Sequence, residues 1–121
     1  MPLTSADLDL IDSTRQVVIE TRSGDRVHRT VIWVVVDQGT VLVRSVRASD
    51  GRWYRRALAD PRVTLDVAGS RFDFTAIPVD DPEIIEGASE ALRRKYPTGG
   101  SLDSMLRPEV LDTTLILEPR S

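Results

Sequence analysis

The chain's folding is most constrained by a series of short runs rich in β-branched residues, each closed by turn residues. "RQVVIETR" and "HRTVIWVVVD" flank Ser23-Gly24-Asp25, "TVLVRSV" follows Gln38-Gly39, and "RVTLDVA" and "RFDFTAIPVD" are joined at Gly69-Ser70. Such spacing reads as strands linked by hairpins. A sixth strand is expected over "VLDTTLILEP" near the end. A small antiparallel sheet of this size leaves two unpaired edges, and closing it into a barrel removes them. So narrow a barrel is filled by its own side chains. A sizeable ligand must then bind on the outer wall, where a second subunit would be needed to enclose it.

Helices punctuate this pattern. A short one is expected near "SADLDLID", inside an N-terminal extension spanning residues 1–13. "GRWYRRALAD" predicts about two helical turns, started by Ser49 or Asp50 and stopped by Pro61. Trp53 and Tyr54, with Ala57 and Leu58, are expected to pack that helix onto the barrel. "DDPEIIEGASEALRRKYP" predicts another, with Asp81 as N-cap, Pro82 at the first helical position and basic residues in its last turn. The expectation is a mainly β (α+β) fold. It comprises a six-stranded antiparallel barrel with two or three short helices, in one domain over residues 1–121.

Several kinds of chemistry find little support. The chain has no cysteine, so neither a disulfide framework nor a thiolate site is available. The N-terminal stretch lacks the basic region and apolar run of a secretory signal. No apolar segment approaches the roughly 20 residues of a membrane span. A soluble, cytoplasmic protein is expected. His28 is the only histidine, has Arg29 and no acid beside it, and reads as structural or exposed rather than catalytic. Asp80, Asp81 and Glu83 sit where a helix starts, where acids favour the macrodipole, and no metal site is expected from them.

The charge distribution is more telling. The chain carries a net charge of -3, yet residues 14–71 hold eleven arginines against six acids, between acidic ends. Five of those arginines (Arg44, Arg47, Arg52, Arg55 and Arg56) fall within thirteen residues. At the start of a helix, positive charge opposes the dipole by about 0.3–1 kcal/mol per residue. Arg52 and Arg56, four apart, repel one another as well. An anion seated there offsets both effects, because a helix N-terminus with arginine forks forms a phosphate cradle. Arg44 and Arg47 would enter from the preceding strand and loop, and Arg29 from a neighbouring strand. A solvated basic face, salt-bridged to the acidic C-terminal half, is the competing reading. Nucleic-acid binding ranks last for a chain with acidic flanks and net negative charge.

The segment "RTVIWVVVDQGTVLVRSVRASDGRWYRRALADPRVTLDV" resembles the split-barrel proteins related to pyridoxamine phosphate oxidase and the flavin reductases. Within that group it is most similar to a small family of uncharacterised domains. They share a strand ending in Val-Arg (here Val43-Arg44), then Arg52-Trp53-Tyr54 and Ala57-Leu58. The similarity continues at "RRKYPTGGSLDSML" and "TTLILEP", so it covers nearly the whole chain. "WYRRALADPRVTLDVAG" also resembles the deazaflavin-dependent nitroreductases. Where those usually carry Lys-Ser-Gly this chain has Arg22-Ser23-Gly24, and their loop lysine corresponds at best to Arg47. The resemblance implies a split β-barrel that binds FMN or the deazaflavin coenzyme. It implicates Arg29 and Thr30 on one strand, Arg44, Ser45 and Arg47 on the next, and Arg52, Trp53 and Arg56 at the helix. It also implies a homodimer with the cofactor ring near the subunit interface.

These readings combine as a cytoplasmic, homodimeric oxidoreductase. It would pass hydride between a flavin-type cofactor and a small-molecule substrate, without nucleic-acid or membrane partners. A non-catalytic module that binds or carries a phosphorylated small molecule is the alternative from a different class.

Overall fold

A computed structural model describes residues 3–120, so residues 1, 2 and 121 of the expected domain lie outside it. Seven strands form one antiparallel sheet: β1 (Gln16–Ser23), β2 (Arg26–Trp33), β3 (Val35–Asp37), β4 (Thr40–Val43), β5 (Arg62–Val67), β6 (Ser70–Pro78) and β7 (Leu115–Pro119). Their order in the sheet is β2-β1-β5-β6-β7-β4-β3. The hairpin turns follow the expected chemistry. Gln38 and Gly39 both have positive φ, the backbone that joins twisted strands with a two-residue loop. Ala68 and Gly69 do the same, so the turn there lies one residue earlier than Gly69-Ser70.

The sheet has one strand more than expected, because "HRTVIWVVVD" is broken at Val34. Its backbone N–H donates to the Tyr96 hydroxyl at 3.2 Å, and its carbonyl accepts from Lys95 Nζ at 2.6 Å. With both groups taken by side chains from a helix, Val34 leaves the ladder. The chain then changes partner, from β1 for β2 to β4 for β3. The strands at the two ends of the sheet are thus separated in sequence by one residue. The sheet rolls up there and stays split elsewhere, which gives the mainly β split barrel.

Inside, Ile19, Val63, Leu65, Phe74 and Leu117 are fully buried or nearly so. Each such side chain stabilises the barrel by about 1.5–3 kcal/mol on burial. This interior is packed with the chain's own side chains, as so narrow a barrel requires.

Five short α-helices surround it among the described residues, more than the two or three expected. Helix α1 (Ser5–Ser13) is started by a capping box between Thr4 and Asp7 and buries Ile11. Helix α2 (Arg52–Ala59) buries Trp53, Tyr54 and Ala57, whereas Leu58, also expected to pack, is 48% exposed. Helix α3 (Pro82–Lys95) begins as expected, with Asp81 accepting from the Glu83 N–H and Pro82 in the first turn. Helices α4 (Gly100–Met105) and α5 (Pro108–Leu111) were not expected. Helix α5 takes Val110 and Leu111, the first residues of the run read as the final strand, which is confined to β7. Leu92, Tyr96, Leu102 and Met105 join Val35 and Leu42 in a second apolar cluster, which fixes α3 and α4 against β3 and β4.

The start of α2 also differs. Ser49 and Asp50 belong to a 3-10 turn over Ala48–Asp50, and Gly51 is the N-cap, with no side chain capping the helix. A Cβ at Gly51 would lie 2.1 Å from Ser45 Oγ. The close approach of the loop to the end of β4 therefore demands glycine at this position.

Candidate functional site

Between the open edge of β2 and the segment from β4 into α2 lies a cleft of about 930 Å³. Helix α4 contributes Ser101, Ser104 and Met105 to its wall. All eight residues expected to hold a cofactor (Arg29, Thr30, Arg44, Ser45, Arg47, Arg52, Trp53 and Arg56) line it. The lining includes five arginines and no aspartate or glutamate.

The five arginines are not equivalent. Arg44 is 3% exposed, and its guanidinium is spent inside the protein. Nε donates to Thr114 Oγ1 at 2.8 Å, Nη1 to the Met105 carbonyl at 3.2 Å, and Nη2 to the Ile85 carbonyl at 2.7 Å. Burial pulls its pKa down to about 10, against the field of Glu86, which pulls it up. Arg44 thus braces β4 to α3, to α4 and to the approach of β7. Arg29 is also committed: it pairs with Glu20 and, at 3.0 Å, with Asp66 on the outer face of the sheet. Arg71 reaches the same Glu20 at 2.6 Å.

Neighbours on a strand face opposite ways. Thr30 lies across from the buried Ile19, so it faces inward and Arg29 faces outward. The two cannot hold one anion from the same side. Ser45 is 1% exposed; its hydroxyl donates to the Ala48 carbonyl at 2.8 Å and its N–H to Thr113 Oγ1 at 3.0 Å. It shapes the loop rather than presenting a free donor. Trp53 is 6% exposed, edge-on to Tyr54, and belongs to the barrel core.

Three arginines remain available. Arg47 and Arg52 are exposed, and their side chains make no hydrogen bond or ion pair among the described residues. Arg56 uses only Nε, which donates to Thr21 Oγ1 at 2.8 Å. Arg55, the fifth of the sequence cluster, turns away from the cleft to the Ser49 carbonyl and Asp50. Three cations thus remain without a carboxylate partner along one wall.

The rest of the cleft is apolar. Val27 (54%), Val31 (61%) and Val46 (47%) are the exposed large hydrophobics of its walls. Trp33 closes the far end, stacked on Tyr96 with ring centroids 3.9 Å apart. Sequence reasoning missed Trp33, Met105 and these valines. Their alternation marked a strand, and nothing local said that its outer edge stays open.

A family model described as "Uncharacterized protein conserved in bacteria (DUF2255)" matches residues 7–117. The chain belongs to the DUF2255 family. No curated protein matches it. Solved structures with the same fold include a putative pyridoxamine 5'-phosphate oxidase from Listeria innocua. It has 16% identity and a TM-score of 0.69, with 94% of this chain and 90% of that one covered. HutZ from Vibrio cholerae, described as a heme storage protein, has 16% identity and a TM-score of 0.69, covering 100% of this chain and 92% of that one. An F420-H2-dependent reductase (FDR-A) has 18% identity and a TM-score of 0.67, covering 85% and 93%. At these identities the likeness establishes the split-barrel fold of this DUF2255 chain. No described helix is long and apolar enough to cross a membrane.

Proposed function

We propose that this DUF2255 protein binds a flavin-type cofactor, FMN or the deazaflavin coenzyme, in the cleft between β2 and α2. On this reading it is an oxidoreductase that passes hydride to or from a small molecule. One observation carries the reading: the cleft is lined by five arginines and no carboxylate, and three of the arginines, Arg47, Arg52 and Arg56, have guanidinium nitrogens without a partner among the described residues. Uncompensated cations side by side repel, and a phosphate that accepts from their N–H groups offsets this. The cleft's size is within the range of cofactor pockets, and its apolar walls suit a planar ring. The pyridoxamine phosphate oxidase-like and F420-dependent neighbours add support from fold alone.

Arg47, Arg52 and Arg56 would hold the phosphate, while Trp33, Val31 and Val46 would bound the ring and exclude water. The bound cofactor would supply the hydride chemistry, and the chain would position it. The exposed valines at the cleft also suit a second copy of the chain, which would cover the ring in a homodimer.

Storage or carriage without turnover is the second reading. The cleft's lining holds no carboxylate and one histidine, so few groups in it can move a proton. HutZ shows that a neighbour of this fold is described as a storage protein.

Fluorescence titrations with FMN, the deazaflavin coenzyme, and riboflavin as a phosphate-free control test the proposal, with heme in parallel. Saturable binding of FMN or the deazaflavin, with riboflavin far weaker, is expected. Binding of neither overturns the proposal. Reduction of the bound cofactor by a hydride donor, and its reoxidation by a small acceptor, separates enzyme from carrier.

A further inference from the structure

Among the described residues one buried side-chain nitrogen has no hydrogen-bond partner: Nε2 of His28. A buried polar atom without a hydrogen bond is costly and calls for an explanation. His28 stands on β2 directly opposite Thr21 of β1. Opposed residues in an antiparallel pair carry Cβ atoms about 4.5–5.5 Å apart. Thr21 is fully buried, and its Oγ1 accepts from Arg56 Nε at 2.8 Å. His28 and Arg56 therefore approach the same threonine, and both line the cleft. Nη1 and Nη2 of Arg56 make no hydrogen bond among the described residues. Nε2 of His28 and the two Nη atoms of Arg56 are thus without a partner around the same threonine.

The charged surroundings have one sign. Helix α2 brings Arg52 and Arg56, and the connection from β4 brings Arg44 and Arg47. Helix α4 brings Ser101, Ser104 and Met105, none of them charged. On β1, Glu20 and Arg22 flank Thr21 in sequence and so point to the opposite face, as Arg29 does on β2. No carboxylate lines the cleft to hold the imidazole, so its natural acceptor is an anion from outside.

We propose that His28 Nε2 and the Arg56 guanidinium together seat the terminal oxyanion of the ligand, a phosphate monoester. This rests on the reading of the cleft as an anion site, not on the redox chemistry. Arg56, tethered through Nε alone, moves with the oxyanion as it enters. A monoester presents three terminal oxygens, enough for Arg56, His28 and one of Arg47 or Arg52 at once.

Because His28 is the only histidine, its imidazole gives a single set of NMR signals. Inorganic phosphate and then FMN are titrated into the whole protein while those signals are followed. A saturable shift with both is expected, along with loss of the phosphate response in Arg56→Ala. His28→Leu should weaken FMN about tenfold and leave riboflavin unchanged. His28→Gln, whose amide nitrogen replaces the Nε2 donor, should recover most of that loss. Imidazole signals unmoved at saturating phosphate, no phosphate binding at all, or wild-type FMN affinity in a folded His28→Leu would each overturn the proposal. Should His28→Leu not fold, the wild-type titration decides. FMN binding without an imidazole response removes the role of His28 and leaves the cofactor reading standing. A phosphate response without flavin or deazaflavin binding does the reverse.

Discussion

Arg44 Nε donates to Thr114 Oγ1 at 2.8 Å across seventy residues of chain, and that hydroxyl in turn donates to the Leu111 carbonyl at 2.7 Å. Removing the guanidinium takes three hydrogen bonds from groups on α3, on α4 and just before β7. Arg44→Met should therefore destabilise the fold by roughly 2–4 kcal/mol, read as a lower urea midpoint. Arg44→Lys should recover little, since an ammonium cannot span three acceptors in one plane.

Arg47→Ala and Arg52→Ala should behave oppositely. Neither side chain has a partner among the described residues, so stability should change by less than about 0.5 kcal/mol. Each loses a charge-assisted hydrogen bond to the phosphate, about 1.5–3 kcal/mol, or roughly tenfold to a hundredfold in FMN or deazaflavin affinity. Unchanged affinity in both variants removes the phosphate role. The loss should shrink as salt is raised, because these are exposed charges.

Glu20 makes the barrel sensitive to acid. The Arg71 hydrogen bonds, with Arg29 beside them, hold its carboxyl below the ordinary value of 4.5, against the opposing effect of burial. The folded state therefore binds this proton less readily than the unfolded chain. The stabilisation is complete above pH 4.5 and is lost as pH falls through the lowered value. Urea midpoints from pH 7 down to pH 3 should fall less steeply in Glu20→Gln than in the wild type. Equal slopes would remove Glu20 as the source.

Lys95 acts at the other end of the pH scale. Partial burial brings its ammonium down to about 8, although Asp12 pulls it upward. The unfolded chain binds that proton more readily, so stability should rise as pH climbs from about 8 to the ordinary 10.5. Thermal unfolding between pH 7 and pH 10 checks this. Lys95→Met should flatten the rise, and a wild-type curve falling over that range would contradict it.

Gly51→Ala tests how tightly the loop before α2 is built. The new methyl would meet Ser45 Oγ at 2.1 Å, and Ser45 is too buried to step aside. A loss of about 1–3 kcal/mol is expected, with weaker cofactor binding because Arg47 and Arg52 flank that contact.

Most of the fold was legible because its signals are local. Turn residues such as Gln38-Gly39 sit between β-branched runs, and Asp81-Pro82 announces α3. The misses are contacts made from far away. Val34 looks like any other valine in "VIWVVVD"; it breaks the strand because Tyr96 and Lys95, about sixty residues on, take its backbone groups. The candidate site's lining follows the sequence cluster, but the role of each residue in it was not legible. Arg44 and Arg47 are the same residue type three positions apart, and only the later carbonyls of Ile85 and Met105 separate brace from free cation. His28 stood out only as the single histidine and read as structural or exposed, since an orphaned nitrogen is visible only once its surroundings are known.

The break at Val34 also bears on which length changes the family can accommodate. Strand β2 forms one wall of the cleft, while β3 carries β4, and with it the other wall, from just past that single residue. Adding or deleting one residue there would turn every side chain of one wall to its opposite face relative to the other. Length variation among relatives should therefore collect in the hairpin tips and around α4 and α5, and leave position 34 alone. The spacing from Trp33 to Val35 is as much part of the cleft's architecture as any arginine that lines it.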